Sequence, residues 1–238
     1  MGEVEFGVVR VREVGTCMEL NKIHLGDCLE HMAMMPDNFI DLIVTDPPYN
    51  AINRATNGLR SFDKGSADSA PIDIQLLAKE FYRVCKGSMY IFCSDEQYTE
   101  WITTLKGLGL ATRKCAWQKS NPSPMNGEYT WLSALELCVF AKHKGATFNR
   151  HCASPVWKYP IVPNQEHPTE KPVPLFAELI EASSNVDDIV YDPFSGSGTT
   201  TIASHKLGRR WIGSEISAEY VKLANDRLEP YLAQSSLF

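Results

Sequence analysis

Apolar positions arrive along this chain in short bursts, and their period switches between alternation and helical spacing of about 3.6 residues. "NKIHL" (21–25) reads as a short strand, and "GDCLEHMAMM" after it as a turn and a short helix. "FIDLIVT" (39–45) is a buried strand running straight into an acid. In "PIDIQLLAKEFYRVC" (71–85), Ile74, Leu77, Ala78, Phe81 and Val84 share one face, which predicts a helix with Gly87 as its stop. "SMYIFCS" is a strand, "EQYTEWITTLKGLG" a helix ended by glycines, and "ATRKCAWQKS" and "ALELCVFAKH" two more strands. Residues 144–168 lose all periodicity and hold four prolines. "PVPLFAELIEASS" resumes a helix, "DDIVYDPFSGSGTTTIASHKLGRRWIGSEIS" gives strand, glycine loop, helix and strand, and "SAEYVKLANDRLEPYL" is a last amphipathic helix. Strands alternating with helices predict an α/β fold with a mainly parallel sheet. The polar, turn-rich stretch 50–70 reads as a mobile loop, and residues 1–17 as an N-terminal extension outside the core.

Two stretches depart from this punctuation. In "IVYDPFSGSGTTTIA" an apolar strand precedes a loop with two glycines and then a helix, so backbone can approach a ligand beside free helix N–H groups. Glu215 ends the next strand, 23 residues after Asp192, about where a nucleoside-binding βαβ unit places the acid that accepts ribose hydroxyls. Thr201 stands where the third glycine of a dinucleotide fingerprint would be, which leaves a nucleoside-containing ligand and also an ordinary tight turn as readings. Asp27 follows a short strand and could accept from the exocyclic amine of adenine, although "GD" is also a common turn.

"VTDPPYN" (44–50) is the second departure. Two prolines cannot donate to a sheet ladder, so the strand must stop there, leaving Asp46 and Tyr49 on a stiff turn at a strand's carboxyl end. The amine of a nucleobase is a poor nucleophile because its lone pair is delocalised into the ring. The Asp46 carboxylate and the Pro47 carbonyl would pull its hydrogens out of plane and localise that pair. Pro47 and Pro48 would fix the acceptors, and Tyr49 would offer a stacking face to a base taken out of a duplex. The plain alternative for this tetrapeptide is a rigid turn.

Composition changes this picture little. The chain has 238 residues, 44% hydrophobic and 22% charged, ordinary for a globular protein. No run is apolar enough to span a membrane, and the start lacks a signal-peptide layout and a myristoylation signal, which predicts a cytoplasmic protein. Seven scattered cysteines without a C-x-x-C pair and six histidines without ligand spacing predict reduced thiols and no metal. Net charge is −6, yet residues 111–171 hold eight Lys/Arg against four acids, a balance of +4, and the remainder carries −10. A basic middle on an acidic body suits a phosphate-facing surface, or simply a solvated face.

Taken in order, "GDCLE", "DPPY", "HPTEKP" and "DPFSGSGTT" resemble the amino-group DNA methyltransferases that use S-adenosylmethionine, over roughly residues 18–230. The catalytic motif precedes the donor motif, a permuted order that resembles the β class. The resemblance implies a Rossmann-like methyltransferase fold, with helices on both faces of a twisted, mainly parallel sheet. Residues 18–143 would form its catalytic half, 144–166 a short target-recognition region, and 167–238 its donor-binding half. Asp46, Pro47, Pro48 and Tyr49 would be catalytic. Asp27 and Cys28 would lie at the donor's adenine, Glu215 at its ribose, and Lys171 near its methionine carboxylate. Asp192, Phe194, Ser195, Gly196, Gly198 and Thr199 would surround its methionine part, with Asp46 also at the donor. Transfer would be direct, with no metal.

Asp at the head of the tetrad resembles adenine-N6 enzymes, whereas Ser is commoner in cytosine-N4 enzymes. The implied substrate is double-stranded DNA, met by Arg54 and Arg60 of the 50–70 loop and by Lys144, Arg150, Trp157 and Lys158. A homodimer and a restriction endonuclease partner in a prokaryotic or phage-type system are the associations the resemblance suggests. Rival readings are a cytosine-N4 enzyme, an RNA adenine methyltransferase and a non-catalytic binding protein. A nicotinamide dehydrogenase is a further rival, against which the missing third glycine counts.

Overall fold

The computed structural model describes residues 18–49, 72–124, 127–162 and 170–235. The expected 50–70 loop and the 1–17 extension therefore lie outside the described residues. In chain order the elements are β1 (Lys22–Leu25), α1 (Cys28–Ala33), β2 (Ile40–Thr45), α2 (Ile74–Val84), β3 (Cys85–Cys93), α3 (Asp95–Gly107) and β4 (Ala111–Lys119). They continue with β5 (Leu135–Lys142), β6 (Val156–Tyr159), α4 (Val173–Ser183), β7 (Ile189–Asp192), α5 (Thr199–Lys206), β8 (Arg210–Glu215) and α6 (Ala218–Ser235).

The strands form one sheet in the order β1-β8-β7-β2-β3-β5-β4-β6. β5 pairs antiparallel with both β3 and β4, and every other pairing among the described strands is parallel. Parallel strands need both faces covered. Met32 of α1, Phe81 of α2 and Trp101 of α3 pack with Ile43, Ile91 and Tyr191 on one face. Leu175 and Phe176 of α4 and Ala203 of α5 pack with Leu42, Val44 and Phe92 on the other, where α6 adds Ala224 and Leu228. The expected layered α/β fold is what forms. No helix among the described residues is long and apolar enough to cross a membrane. Cys28, Cys85, Cys93, Cys115 and Cys138 are buried free thiols and Cys152 an exposed one.

Two expectations need correction. Gly87 does not stop α2, which ends at Val84 and passes directly into β3. Glycine stands inside that strand because a Cβ there would lie 1.8 Å from the Asp41 carbonyl oxygen of β2. The aperiodic stretch 144–168 contains β6, a four-residue edge strand added parallel to β4. So short a strand offers too few positions for alternation to show.

Candidate active site

The two unusual loops meet because their strands do. β2 and β7 are neighbours, with Leu42 opposite Val190 and Ile43 opposite Tyr191. From β2 the chain proceeds to α2 on one face, and from β7 to α5 on the other. Such divergence opens a crevice at the carboxyl edge, the place where open α/β sheets hold ligands. A cleft of about 360 Å³ lies there, lined among others by Asp27, Asp46, Lys171, Asp192, Ser195 and Glu215.

Asp192 is the cleft's central fastening. Its Oδ1 accepts from the Thr45 hydroxyl at 2.8 Å and from the Phe194 N–H at 3.1 Å, and its Oδ2 from the Thr200 hydroxyl at 2.5 Å. Burial pushes its carboxyl up to about 6 against these donors. Gly198 stands at the N-cap of α5 with φ of 81°, and a Cβ there would lie 2.9 Å from the Ala224 Cβ, so glycine is required on both counts. No side chain caps α5, whose first residue, Thr199, is buried and lines the cleft. Its first N–H groups are therefore left to backbone, solvent or a ligand. Gly196 donates its N–H to Glu215 Oε2 at 2.9 Å, while Ser217 donates to Oε1 at 2.8 Å. The acid is thus locked in the cleft wall and, like any carboxylate, keeps further lone pairs. Ser195 Oγ is buried with no hydrogen-bond partner. An unpaired buried hydroxyl costs roughly 1–3 kcal/mol, so a cleft lined this way suits a polar ligand. At the far wall Asp27 caps α1 through Leu29 N–H at 2.7 Å, and Cys28 is buried with its thiol pushed up to about 12 by burial.

On the β2 side, Asp46 accepts from the Tyr49 hydroxyl on Oδ1 at 2.8 Å and from the Lys171 ammonium on Oδ2. Gln97 donates to the Pro48 carbonyl at 3.2 Å while also completing the capping box of α3 with Ser94. The Lys171 ammonium is paired a second time, to Glu136 at 3.1 Å, and Glu136 pairs in turn with Lys119 at 2.7 Å. Four alternating charges therefore run from Asp46 through Lys171 and Glu136 to Lys119. Burial raises the Asp46 carboxyl, and Lys171 only partly offsets that. Burial alone would lower Lys171, but Asp46 and Glu136 hold it above its ordinary range. Burial would also raise Glu136, yet Lys171 and Lys119 outweigh it and bring the carboxyl below its usual value.

Sequence reading missed Glu136, Lys119 and Gln97. Glu136 left one signal, an acid within the otherwise apolar run "ALELCVFA". Tyr129 and Trp131 were missed as well; they are 84% and 95% exposed on the β4–β5 connection, which leaves the sheet at the same edge as Asp46. The residues expected to meet nucleic acid are dispersed. Trp157 is buried in the core against Tyr90. Arg150 pairs with Glu178 at 2.9 Å and Glu181 at 3.2 Å, carboxylates of α4. Lys144 follows β5 at the edge opposite Asp46, and Lys158 is exposed on β6. Arg54 and Arg60 lie outside the described residues. Among the described residues no cluster of His, Cys, Asp and Glu is placed to hold a metal ion.

The doubly covered sheet with its cleft at the switch point is the architecture of the methyltransferase fold. The structure of the PvuII DNA methyltransferase, cytosine-N4-specific, shares that fold with a TM-score of 0.66 at 18% identity, covering 89% of each chain. Residues 40–226 match the model of the N6/N4 methyltransferase family, described as DNA methylase, and the chain belongs to that family. The Type II methyltransferase M.HinfI of Haemophilus influenzae is 31% identical over 246 residues, covering 88% of this chain and 68% of that protein. A crystal structure of an M1.HpyAVI–SAM complex gives a TM-score of 0.67 at 28% identity, covering 87% of this chain and 98% of that one. The protein is a DNA methyltransferase of the amino-group type, with the tetrad before the glycine loop as the β order has it.

Proposed function

We propose that this enzyme transfers a methyl group from S-adenosylmethionine to the N6 amine of an adenine flipped out of double-stranded DNA. The observation that carries the proposal is Asp46, a partly buried carboxylate on a proline-stiffened turn that lines the same cleft as Glu215 and the glycine loop. The donor supplies an electrophilic methyl group on a sulfonium sulfur. In this reading Glu215 receives the ribose hydroxyls, Asp27 the donor's adenine amine, and the loop from Asp192 to Thr199 the methionine part. Lys171 lies where the two halves of the cleft meet. Asp46 and the Pro47 carbonyl accept the hydrogens of the target amine and localise its lone pair, while Tyr49 stacks on the base. As the N6–carbon bond forms, the carbon–sulfur bond breaks, sulfur keeps its electron pair, and the amine sheds one proton.

Adenine is favoured by Asp at the head of the tetrad. Duplex contact is assigned to Tyr129 and Trp131 at the rim, because aromatic side chains left in solvent beside a base-flipping cleft can stack on bases or wedge between them. The test is transfer of labelled methyl groups to unmethylated duplex DNA, followed by digestion and mass analysis of the nucleosides. N6-methyladenine is the expected product. N4-methylcytosine would overturn the adenine assignment, and methylation of RNA alone would overturn the DNA one. Asp46→Ala should abolish transfer with donor affinity retained; equal loss of both would make the acid structural.

A further inference from the structure

Both oxygens of Asp46 are occupied, by the Tyr49 hydroxyl and by the Lys171 ammonium. An incoming amine therefore competes with these two donors for the lone pairs that remain, and the ammonium is the stronger competitor. Among the described residues the groups facing Asp46 are Lys171, Tyr49, Glu136, Cys93 and Asp192, and Lys171 is the cation among these. Its side chain is only 6% exposed, so an ammonium withdrawn from Asp46 cannot be compensated by bulk water. Glu136 Oε2 already stands 3.1 Å from it, and Lys119, 2.7 Å from Glu136 Oε1, holds that carboxylate in place.

We propose that Glu136 is a positioning residue for the transfer step, the anchor onto which Lys171 shifts when the target amine occupies Asp46. Glu136 keeps the lysine shared rather than locked on the acid, so the ammonium still has a carboxylate partner when it gives way at the acceptor. Lys119 fixes the anchor, and a small displacement of one ammonium opens the acceptor while the ammonium itself stays paired. The inference rests on Asp46 being the amine's acceptor and holds for either base.

The test is single-turnover methyl transfer to duplex DNA across pH, with donor affinity measured separately, for wild type, Glu136→Gln and Glu136→Asp. Glu136→Gln should lower the rate roughly ten- to a hundredfold, the scale of a misplaced reacting group, with donor affinity unchanged. Its acid limb should move to lower pH, because the lysine left on Asp46 alone favours the ionised acid more strongly. Glu136→Asp retains the charge and should recover part of the rate. An unchanged rate, an unmoved acid limb, no recovery in Glu136→Asp, or parallel loss of donor binding and rate would each overturn the proposal. Asp46→Asn, run alongside, separates the two ideas. If it still transfers methyl groups, the acceptor reading fails; if it is inactive while Glu136→Gln matches wild type, only the role of Glu136 falls.

Discussion

The Thr45 hydroxyl donates to Asp192 Oδ1 at 2.8 Å across 147 residues of sequence, and it fastens the strand bearing Asp46 to the strand bearing the glycine loop. Both groups are buried. Thr45→Val keeps the shape and removes the donor, which should destabilise the fold by about 1–3 kcal/mol. Urea unfolding would measure that loss, and a neutral result would show the junction is held by packing alone.

Tyr49 presents its ring and its hydroxyl to different tasks, the hydroxyl to Asp46 at 2.8 Å and the ring to the proposed base. Tyr49→Ala should forfeit stacking of about 1–3 kcal/mol in transfer efficiency, and Tyr49→Phe should be mild. If kcat/KM for the Phe variant falls as far as for Ala, the hydroxyl carries the role instead.

Asp192 makes a pH-dependent contribution with a definite sign. Its carboxyl is pushed up from 3.8 to about 6 by burial, so the folded chain holds that proton more tightly than the unfolded chain. The associated stability is present below the unfolded value and is lost as pH rises through about 6. Asp192→Asn lacks this titration, so relative to wild type it should gain stability between about pH 4 and pH 7. Urea melts at the two ends of that window check it; a variant that loses ground on going up would mean the fold favours the carboxylate.

Gly87→Ala tests the close approach of β3 to β2. With backbone oxygen 1.8 Å from the new Cβ, the strands must separate, and a loss above about 3 kcal/mol or failure to fold is expected. A soluble, fully stable variant would show that the strand pair can slide apart there at no cost.

Trp131→Ala removes a side chain 95% exposed, so thermal stability should hold within about 0.5 kcal/mol. The KM for duplex DNA should rise severalfold if the rim aromatic contacts bases. Unchanged KM, with a change in oligomeric state by sedimentation, would assign the exposed aromatic to a second copy of the chain.

Much of this architecture was legible because long apolar faces write themselves into spacing. The five residues Ile74, Leu77, Ala78, Phe81 and Val84 are all buried in α2 as their positions predict. The cleft's two loops were legible because prolines and glycines permit few backbones. Gly87 misled because glycine next to a helix end looks the same whether it stops the helix or lets a neighbouring strand approach. Trp157 misled for a related reason: an aromatic residue among prolines and cations resembles a surface contact, and only the pairing of β6 with β4 turns it inward. The charge chain left almost nothing to read. Lys119 and Glu136 acquire meaning only when β4 and β5 bring them to Lys171 at one edge, and no local spacing encodes that.

Among the described strands β1, at the edge, pairs only with β8, residue 22 opposite 212 and residue 25 opposite 215. During synthesis β1 therefore has no ladder partner among the described strands until β8 has emerged. Contacts so distant in sequence close slowly, because the loop entropy is lost before any pairing is gained. The wall carrying Asp27 and Glu215 is then the last part of the cleft to assemble, so a growing chain acquires its ligand site only after Glu215 has emerged. A chain cut before Arg210 would leave residues 22–25 as an unpaired edge, a place where copies of the chain can join.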